Sequence, residues 1–162
     1  MIVPALPHEL TTSLDGYRKV CAILNIASET CAAAGMRLGY HNHDFEFRFV
    51  ANRIPYEVMV EALVSDVFLQ FDFGWLYFAG IDGVAYTKAH PGRVLTAHIK
   101  AYKADEETAV VGADSVPWKD VFAACQAVGG TEAFIVEHER YAHPPMECVR
   151  QCLSNIRGIL QG

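Results

Sequence analysis

Apolar and polar positions along the chain follow two alternating periods. Short apolar runs are each succeeded by a segment in which apolar residues recur every third or fourth position, the spacing of one helix face. The runs predict five strands, at Ile2–Leu6, Met36–His41, Val67–Phe71, Val94–Ile99 and Ala133–Glu137. The segments between them predict helices at Asp15–Ala34, from Pro55, at Asp82–Ala89, from Ser115 and at Pro145–Leu160. A strand followed by a helix, five times over, indicates parallel strands with helical crossovers.

Turn and capping residues set the ends of the predicted helices. Gly35 stops the first helix. Ser115 is expected to cap the fourth helix, with Pro117 in its first turn. The last helix is expected to turn one apolar stripe towards the core, made of Val149, Leu153, Ile156 and Leu160.

The chain has no internal linker, repeat or low-complexity segment, so residues 1–162 are expected to form a single domain. No strand is followed by the Gly-x-Gly-x-x-Gly fingerprint of dinucleotide-binding proteins. The phosphate-binding motif Gly-x-x-x-x-Gly-Lys is also missing. The pattern therefore leaves two architectures, an open α/β sheet or part of a (β/α) barrel.

Charge and cysteine content narrow the classes of partner and compartment. With 19 acidic and 13 basic residues the net charge is −6, and no basic cluster is present, which argues against binding nucleic acid. The apolar runs are far shorter than the ~20 residues of a membrane span, so no membrane partner is expected. The five cysteines form no Cys-x-x-Cys pair, and the N-terminus lacks the pattern of a secretory signal. We expect reduced thiols in a cytoplasmic protein.

Metal-binding types of side chain lie where four of the five predicted strands end. Asp72 ends the third strand, His98 lies near the end of the fourth and Glu137 ends the fifth. Because sites in α/β folds form at the carboxyl ends of the strands, we expect these residues to converge. Carboxylates mixed with imidazole suit one divalent ion, such as Mn²⁺, Mg²⁺, Co²⁺ or Zn²⁺. The alternatives are a cap of the following turn for Asp72, a core hydrogen bond for His98 and an ion pair for Glu137.

The end of the second strand and the segment after it hold three candidate site residues. Which of them bind the metal depends on whether the backbone there is extended. Residues 43–49 alternate strictly between polar and aromatic positions, which predicts extended backbone. In an extended segment His41 and His43 share one face, and Glu46 lies on the other. Either the histidines or Glu46 then bind the metal, and the other set contacts substrate. All three could reach one ion only across a bend or bulge.

Taken together, these segments resemble a known enzyme family. They are Gly39-Tyr40-His41-Asn42-His43-Asp44-Phe45-Glu46-Phe47, Phe71-Asp72-Phe73-Gly74-Trp75, Pro91-Gly92-Arg93-Val94 leading to His98-Ile99-Lys100, and Ile135-Val136-Glu137-His138-Glu139. They are similar to the strand motifs of the sugar phosphate isomerase/epimerase family, which has the xylose-isomerase-like TIM barrel. The resemblance covers nearly the whole chain. It implies an α/β fold, a partial (β/α) TIM-type barrel with about five parallel strands, each followed by a helix.

The resemblance also implies a chemistry. One divalent metal ion would be held by Glu46, Asp72, His98 and Glu137. The two glutamates would also exchange protons with the carbon beside a carbonyl, so that a small sugar or sugar-derived substrate isomerises or epimerises through an enediolate. Lys100 would contact substrate oxygens or a phosphate. A lyase or dehydratase on the same scaffold uses the same proton abstraction and is the alternative within enzymes of carbohydrate metabolism.

Chain length is where the sequence departs most from this family. Such barrels have ~250 residues and eight strands, and the first strand here looks like the family's fourth. We therefore expect the first three βα units to be lacking and isomerase activity to depend on completing the barrel. The open edges of the first and last strands predict self-association. Ala101 and Ala113 also depart from the family's pattern, and they favour the alternative of a non-catalytic remnant.

Overall fold

The structure, a computed structural model, describes residues 1–161 and confirms the alternation of strands and helices. Its strands are β1 (Ile2–Val3), β2 (Gly39–His41), β3 (Phe68–Asp72), β4 (Thr96–Lys100) and β5 (Ala133–Glu137). Its helices are α1 (Leu14–Ala33), α2 (Pro55–Ala62), α3 (Phe73–Phe78), α4 (Gly83–Ala89), α5 (Trp118–Ala124) and α6 (Pro145–Gln161). Every strand is followed by at least one helix, and the pairings described below are parallel, so the predicted α/β class is confirmed.

The first of two compact units runs from Met1 to Gln70. Strand β1 pairs with β2 and β2 with β3, both in parallel, and His41 lies opposite Gln70 in the register. Helices α1 and α2 contact each other, and the rings of Tyr17 and Tyr56 are fully buried. The ring of Tyr56 lies 6.3 Å from that of Tyr40 on β2. The end of β2 therefore adjoins a closed aromatic core.

The second unit begins at Phe71, inside β3. Strand β4 pairs in parallel with β5, and the register places Lys100 opposite Glu137. Helix α3 starts directly after β3, because the side chain of Asp72 accepts the Trp75 amide hydrogen at 2.9 Å and so caps the helix. The sequence pattern missed α3, which is a short and largely aromatic segment. Asp72 is thus both the last residue of a strand and the first cap of a helix.

The strands differ in how completely they are covered. All five residues of β3 are buried, whereas Phe134 and Ile135 of β5 are 37% and 41% exposed. Within residues 1–161, β4 is the strand with which β5 pairs. One backbone edge of β5 therefore has no strand beside it among the described residues.

Residues 43–49 are not extended, contrary to the prediction from their alternation. The chain forms a 3-10 turn at Phe45–Phe47, in which the Phe47 amide donates to the Asp44 carbonyl at 3.1 Å. Glu46 is fully buried, while Phe49 is 74% exposed. Strict alternation predicted a strand because it registers only hydrophobicity, and hydrophobicity does not reveal the hydrogen bonds that bend this segment.

The predicted cap of the fourth predicted helix was also wrong. Helix α5 begins at Trp118, directly after Pro117, and has no side-chain cap. The Ser115 amide instead donates to the Tyr102 carbonyl at 2.8 Å. The nearby Asp114 carboxylate accepts hydrogen bonds from the Tyr102 amide and the Trp118 indole, at 3.1 and 2.8 Å. Asp114 thus ties the loop after β4 to the start of α5.

Helix α6 buries a different face from the predicted stripe. Leu153 and Leu160 are 42% and 57% exposed, whereas Cys148 and Cys152 are fully buried. The helix contacts α5 and β5. Val149 and Ile156 of the predicted stripe are partly buried. All five cysteine thiols of the chain are buried, and none forms a disulfide. None of the helices in residues 1–161 combines the length and apolar character that a membrane crossing requires.

Candidate metal and active site

Three of the predicted site residues come together in the second unit. Asp72, His98 and Glu137 each offer one donor atom, and these atoms lie within 4.8 Å of one another. They sit at or near the carboxyl ends of β3, β4 and β5. His98 and Lys100 share one face of β4 because side chains alternate along a strand, and Glu137 lies opposite Lys100. Neighbouring parallel strands therefore aim these side chains into one small volume.

Asp72 is the most enclosed of the three. Its side chain is fully buried, and one oxygen accepts the Trp75 amide hydrogen. The other carboxylate oxygen lies 3.8 Å from Nδ1 of His98. Burial raises the pKa of Asp72 well above its usual range, although the nearby Lys100 ammonium acts in the opposite direction. A divalent cation bound here would stabilise the ionised form of Asp72 and so offset this effect of burial on its pKa.

Glu137 has two positively polarised partners. One oxygen accepts a hydrogen bond from Nδ1 of His98, and the other lies 3.1 Å from the Lys100 ammonium. The His98 hydrogen bond and the charge of Lys100 together hold the pKa of Glu137 far below its usual range, against the effect of partial burial. The carboxylate is therefore ionised at neutral pH, the form in which it binds a metal.

Lys100 is held on several sides. Its ammonium lies 2.7 Å from a Glu139 oxygen and 4.2 Å from the centre of the Trp75 ring. A methyl group in place of the Gly74 hydrogen would lie 2.8 Å from Cγ of Lys100, so only glycine leaves room for the lysine stem. The lysine side chain is 12% exposed. Its charge thus lies between Glu137 and Glu139.

Glu46 lies in the first unit and is buried among hydrogen-bond donors. One oxygen accepts from the Tyr40 hydroxyl, and the other accepts from the His43 amide at 2.9 Å. Burial raises the pKa of the Glu46 carboxyl to about 7, against the effect of these hydrogen bonds. The carboxylate closes the turn at Phe45–Phe47 by binding back to the chain three residues earlier.

His41 and His43 lie close to each other in the first unit. The side chain of His41 is buried, and its Nδ1 lies 3.1 Å from the side-chain amide oxygen of Gln70. The ring of His43 meets that of His41 edge-on at 4.8 Å and stacks on Phe45 at 5.6 Å. Because residues 45–47 form a turn, the alternation that set Glu46 against the histidines no longer applies. The roles of His41, His43 and Glu46 stay predictions.

The donor set of the second unit fits a divalent ion. It combines one imidazole with two carboxylates, one of which is ionised and the other completely buried. Oxygen and imidazole donors suit Mn²⁺, Co²⁺, Zn²⁺ or Mg²⁺, and no thiol lies in the group.

The sequence analysis gave no role in this site to three residues that shape it: Gly74, Trp75 and Glu139. Strand alternation did indicate that Glu139 shares a face with Glu137, but it did not indicate that Glu139 pairs with Lys100. No local feature of the sequence indicates that Gly74 and Trp75 pack against a lysine that lies about 25 positions further along the chain.

Solved structures share this architecture. A sugar phosphate isomerase/epimerase from Parabacteroides distasonis matches with a TM-score of 0.80 and 25% identity, over 94% of this chain and 56% of that one. A sugar phosphate isomerase/epimerase structure from the same organism matches with a TM-score of 0.83 and 22% identity, over 95% of this chain and 57% of that one. An L-ribulose 3-epimerase matches with a TM-score of 0.70 and 16% identity, over 98% of this chain and 58% of that one.

These likenesses confirm the fold and the family resemblance that the motifs implied. The chain has the architecture of part of a TIM-type barrel and resembles the sugar phosphate isomerase/epimerase proteins. It spans between 56% and 58% of the length of these three structures. No protein-family model matches the chain, and no curated protein matches it.

Proposed function

We propose that this chain carries the metal site of a sugar isomerase or epimerase that acts on a small carbohydrate carbonyl compound. One observation carries the proposal. Asp72, His98 and Glu137 meet at the ends of three strands, in a chain whose fold is similar to that of sugar epimerases. A helix cap, a hydrogen-bonded histidine and an ion pair each give one of these residues a structural role, but none of them explains why all three donor atoms meet at one point.

The divalent ion would be held by Asp72, His98 and Glu137. The family resemblance adds Glu46 as a fourth ligand, but both oxygens of Glu46 are already engaged by Tyr40 and His43. When bound, the ion would polarise the substrate carbonyl as a Lewis acid.

Proton transfer would be the task of the glutamates. Glu137 is ionised, the form that can accept the proton from the carbon beside the carbonyl, but its low pKa makes it the weaker base of the two. The pKa of Glu46, about 7, lies in the range that suits a general acid or base at neutral pH. Lys100 and His43 would contact substrate oxygens. Lys100 supplies the positive charge that an oxyanion or a phosphate would need.

A reducing compartment fits this proposal. All five thiols are buried and unpaired in disulfides, which is usual for cytoplasmic proteins. The open edge of β5 supports the further proposal that the chain associates with itself. Association would cover the exposed strand and help to enclose a substrate.

Two measurements, made one after the other, test the proposed function. Isothermal titration with Mn²⁺ first asks whether the purified chain binds one ion, which a non-catalytic remnant need not do. Incubation with ketoses in D₂O then reports deuterium at the carbon beside the carbonyl, by NMR. An isomerase or epimerase incorporates deuterium and yields an isomer of the same mass, whereas a dehydratase yields a product that has lost water. A chain that binds metal but exchanges no proton on any ketose would contradict the proposed reaction.

A further inference from the structure

Lys100 lies between two carboxylates with different roles. Its ammonium is 3.1 Å from Glu137, a proposed metal ligand, and 2.7 Å from Glu139. Glu139 is not part of the donor group formed by Asp72, His98 and Glu137. The side chain of Glu139 is 51% exposed, whereas that of Glu137 is 24% exposed. One cation is therefore shared between an inner and an outer carboxylate.

The stem of the Lys100 side chain is held by its neighbours, so the ammonium can move only a short distance. Gly74 leaves room for its stem, and the Trp75 ring lies under the ammonium. These contacts hold the chain of methylene groups, while the ammonium at its end can favour either carboxylate. A cation over an aromatic face keeps part of its stabilisation when one ion-pair partner leaves.

A metal ion and this ammonium would compete for Glu137. The ion needs an oxygen of Glu137, and two cations a few ångströms apart repel each other strongly in a half-buried site. We propose that Lys100 releases Glu137 and stays paired with Glu139 when Glu137 binds a divalent ion, so that Glu139 is a positioning residue for the metal site. This inference rests on the proposed metal site and adds a residue that acts on it through Lys100.

The proposal predicts effects of opposite sign for the two partners. Glu139→Gln removes the outer carboxylate, so Lys100 competes harder for Glu137 and metal affinity falls. Lys100→Met keeps the stem over Gly74 and removes the competing charge, so metal affinity rises. In the double variant the lysine through which the outer carboxylate acts is absent, so the further change of Glu139 to Gln has no effect and the affinity should match that of Lys100→Met. A carboxylate that merely added negative charge near the metal would keep its effect without the lysine.

The experiment is isothermal titration of the metal-free protein with Mn²⁺ at pH 7.5, for the parent, both single variants and the double variant. We expect Glu139→Gln to weaken binding by about 3- to 10-fold, the range of a partly exposed ion pair. Lys100→Met should tighten binding by a similar factor. Glu106→Gln is the matched control, since it breaks an exposed ion pair with Lys103 at 2.6 Å and should leave the affinity unchanged. Thermal unfolding of the metal-free variants checks that each is folded.

The outcomes separate this inference from the one on which it rests. A parent chain that binds no Mn²⁺ overturns the metal site and the exchange with it. A parent that binds Mn²⁺ while Glu139→Gln binds equally well or more tightly overturns the exchange alone. Weaker binding by Lys100→Met, or an effect of Glu139→Gln that persists without the lysine, also overturns it.

Discussion

Two glutamates predicted for the same task have opposite environments in the two units of the chain. Glu46 is fully buried, and its partners are the neutral hydroxyl of Tyr40 and the amide of His43. Glu137 is partly exposed, and its partners are His98 and the Lys100 ammonium. The pKa of Glu46 is raised to about 7, whereas that of Glu137 is held far below its usual range.

The difference shows which physical effect prevails at each position. Neutral donors only partly offset the loss of hydration around Glu46, so burial decides its pKa. At Glu137 the hydrogen bond from His98 and the charge of Lys100 outweigh a milder loss of hydration. An ionised carboxylate beside an imidazole fits a metal ligand, and a carboxyl near pH 7 fits proton exchange or a structural role.

The largest expected effect separates the two glutamates by metal affinity. Glu137→Gln should weaken Mn²⁺ binding by at least about 100-fold, because loss of a ligand costs more than the 10- to 100-fold typical of a supporting residue. Glu46→Gln should change it by less than about threefold if Glu46 lies outside the coordination shell, since such a residue acts only indirectly. Isothermal titration of both variants checks this. Equal losses in the two would mean that Glu46 binds the ion.

Glu137→Gln should also abolish isomerase activity without unfolding the chain. Glutamine keeps the size of the side chain but can neither bind the metal as an anion nor accept the proton. General acid–base catalysis alone contributes about 10²- to 10⁴-fold. A folded variant that turns over at the parent rate would exclude Glu137 as ligand and as base.

As the pH rises, the ionisation of Glu46 and that of Glu137 should change the free energy of unfolding in opposite directions. The pKa of Glu46 is raised on folding from 4.5 to about 7, so its contribution is fully present below pH 4.5 and is lost as the pH rises to about 7. The loss amounts to about 3 kcal/mol. The pKa of Glu137 is lowered, so its contribution is present above pH 4.5 and is lost as the pH falls below that value.

Urea unfolding of the metal-free protein between pH 5 and 8 tests the slope assigned to Glu46. Glu46→Gln should be close to the parent at pH 5 and more stable than the parent by about 3 kcal/mol at pH 8. Glu61→Gln is the control, because its carboxylate is exposed and pairs with Arg53. Parallel profiles for Glu46→Gln and the parent would show that the buried carboxyl does not titrate in this range.

A smaller effect is expected when one hydrogen bond to Glu46 is removed. Tyr40→Phe deletes the hydroxyl that donates to Glu46 and leaves a buried carboxyl oxygen without that donor. The free energy of unfolding should fall by about 1–3 kcal/mol. Tyr141→Phe, which removes an exposed hydroxyl, should change it by less than about 0.5 kcal/mol. A Tyr40→Phe variant as stable as Tyr141→Phe would indicate that the Glu46 environment relaxes without cost.

The smallest effect concerns the exposed strand that carries Glu137. The side chains of Phe134 and Ile135 on β5 are more than a third exposed, unlike any residue of β3. Ile135→Lys should weaken self-association by several-fold, because a charge on an exposed strand opposes pairing. Analytical ultracentrifugation across a concentration series measures this. A parent chain that stays monomeric at high concentration would contradict the proposed association.

The positions of Asp72, His98 and Glu137 could be predicted because each depends on local pattern. Period-two and helical spacing identify where a strand ends, and parallel strands bring their carboxyl ends together whatever the loops do. The same reasoning predicted β5 to the residue, the helices α1, α4 and α6 to within one residue at each end, and the start of α2. These features follow from backbone geometry that every residue of an element shares.

The environment of Glu46 and Lys100 was decided only by tertiary structure. The turn at Phe45–Phe47 depends on the Glu46 carboxylate, which accepts hydrogen bonds from both Tyr40 and His43. The alternation of hydrophobic and polar residues does not indicate these two hydrogen bonds. The place of Lys100 depends on the missing side chain of Gly74, and the buried face of α6 depends on what the helix meets in space. Sequence pattern reports the preference of a segment, whereas hydrogen bonds and burial between distant segments determine the charge and the role of each side chain.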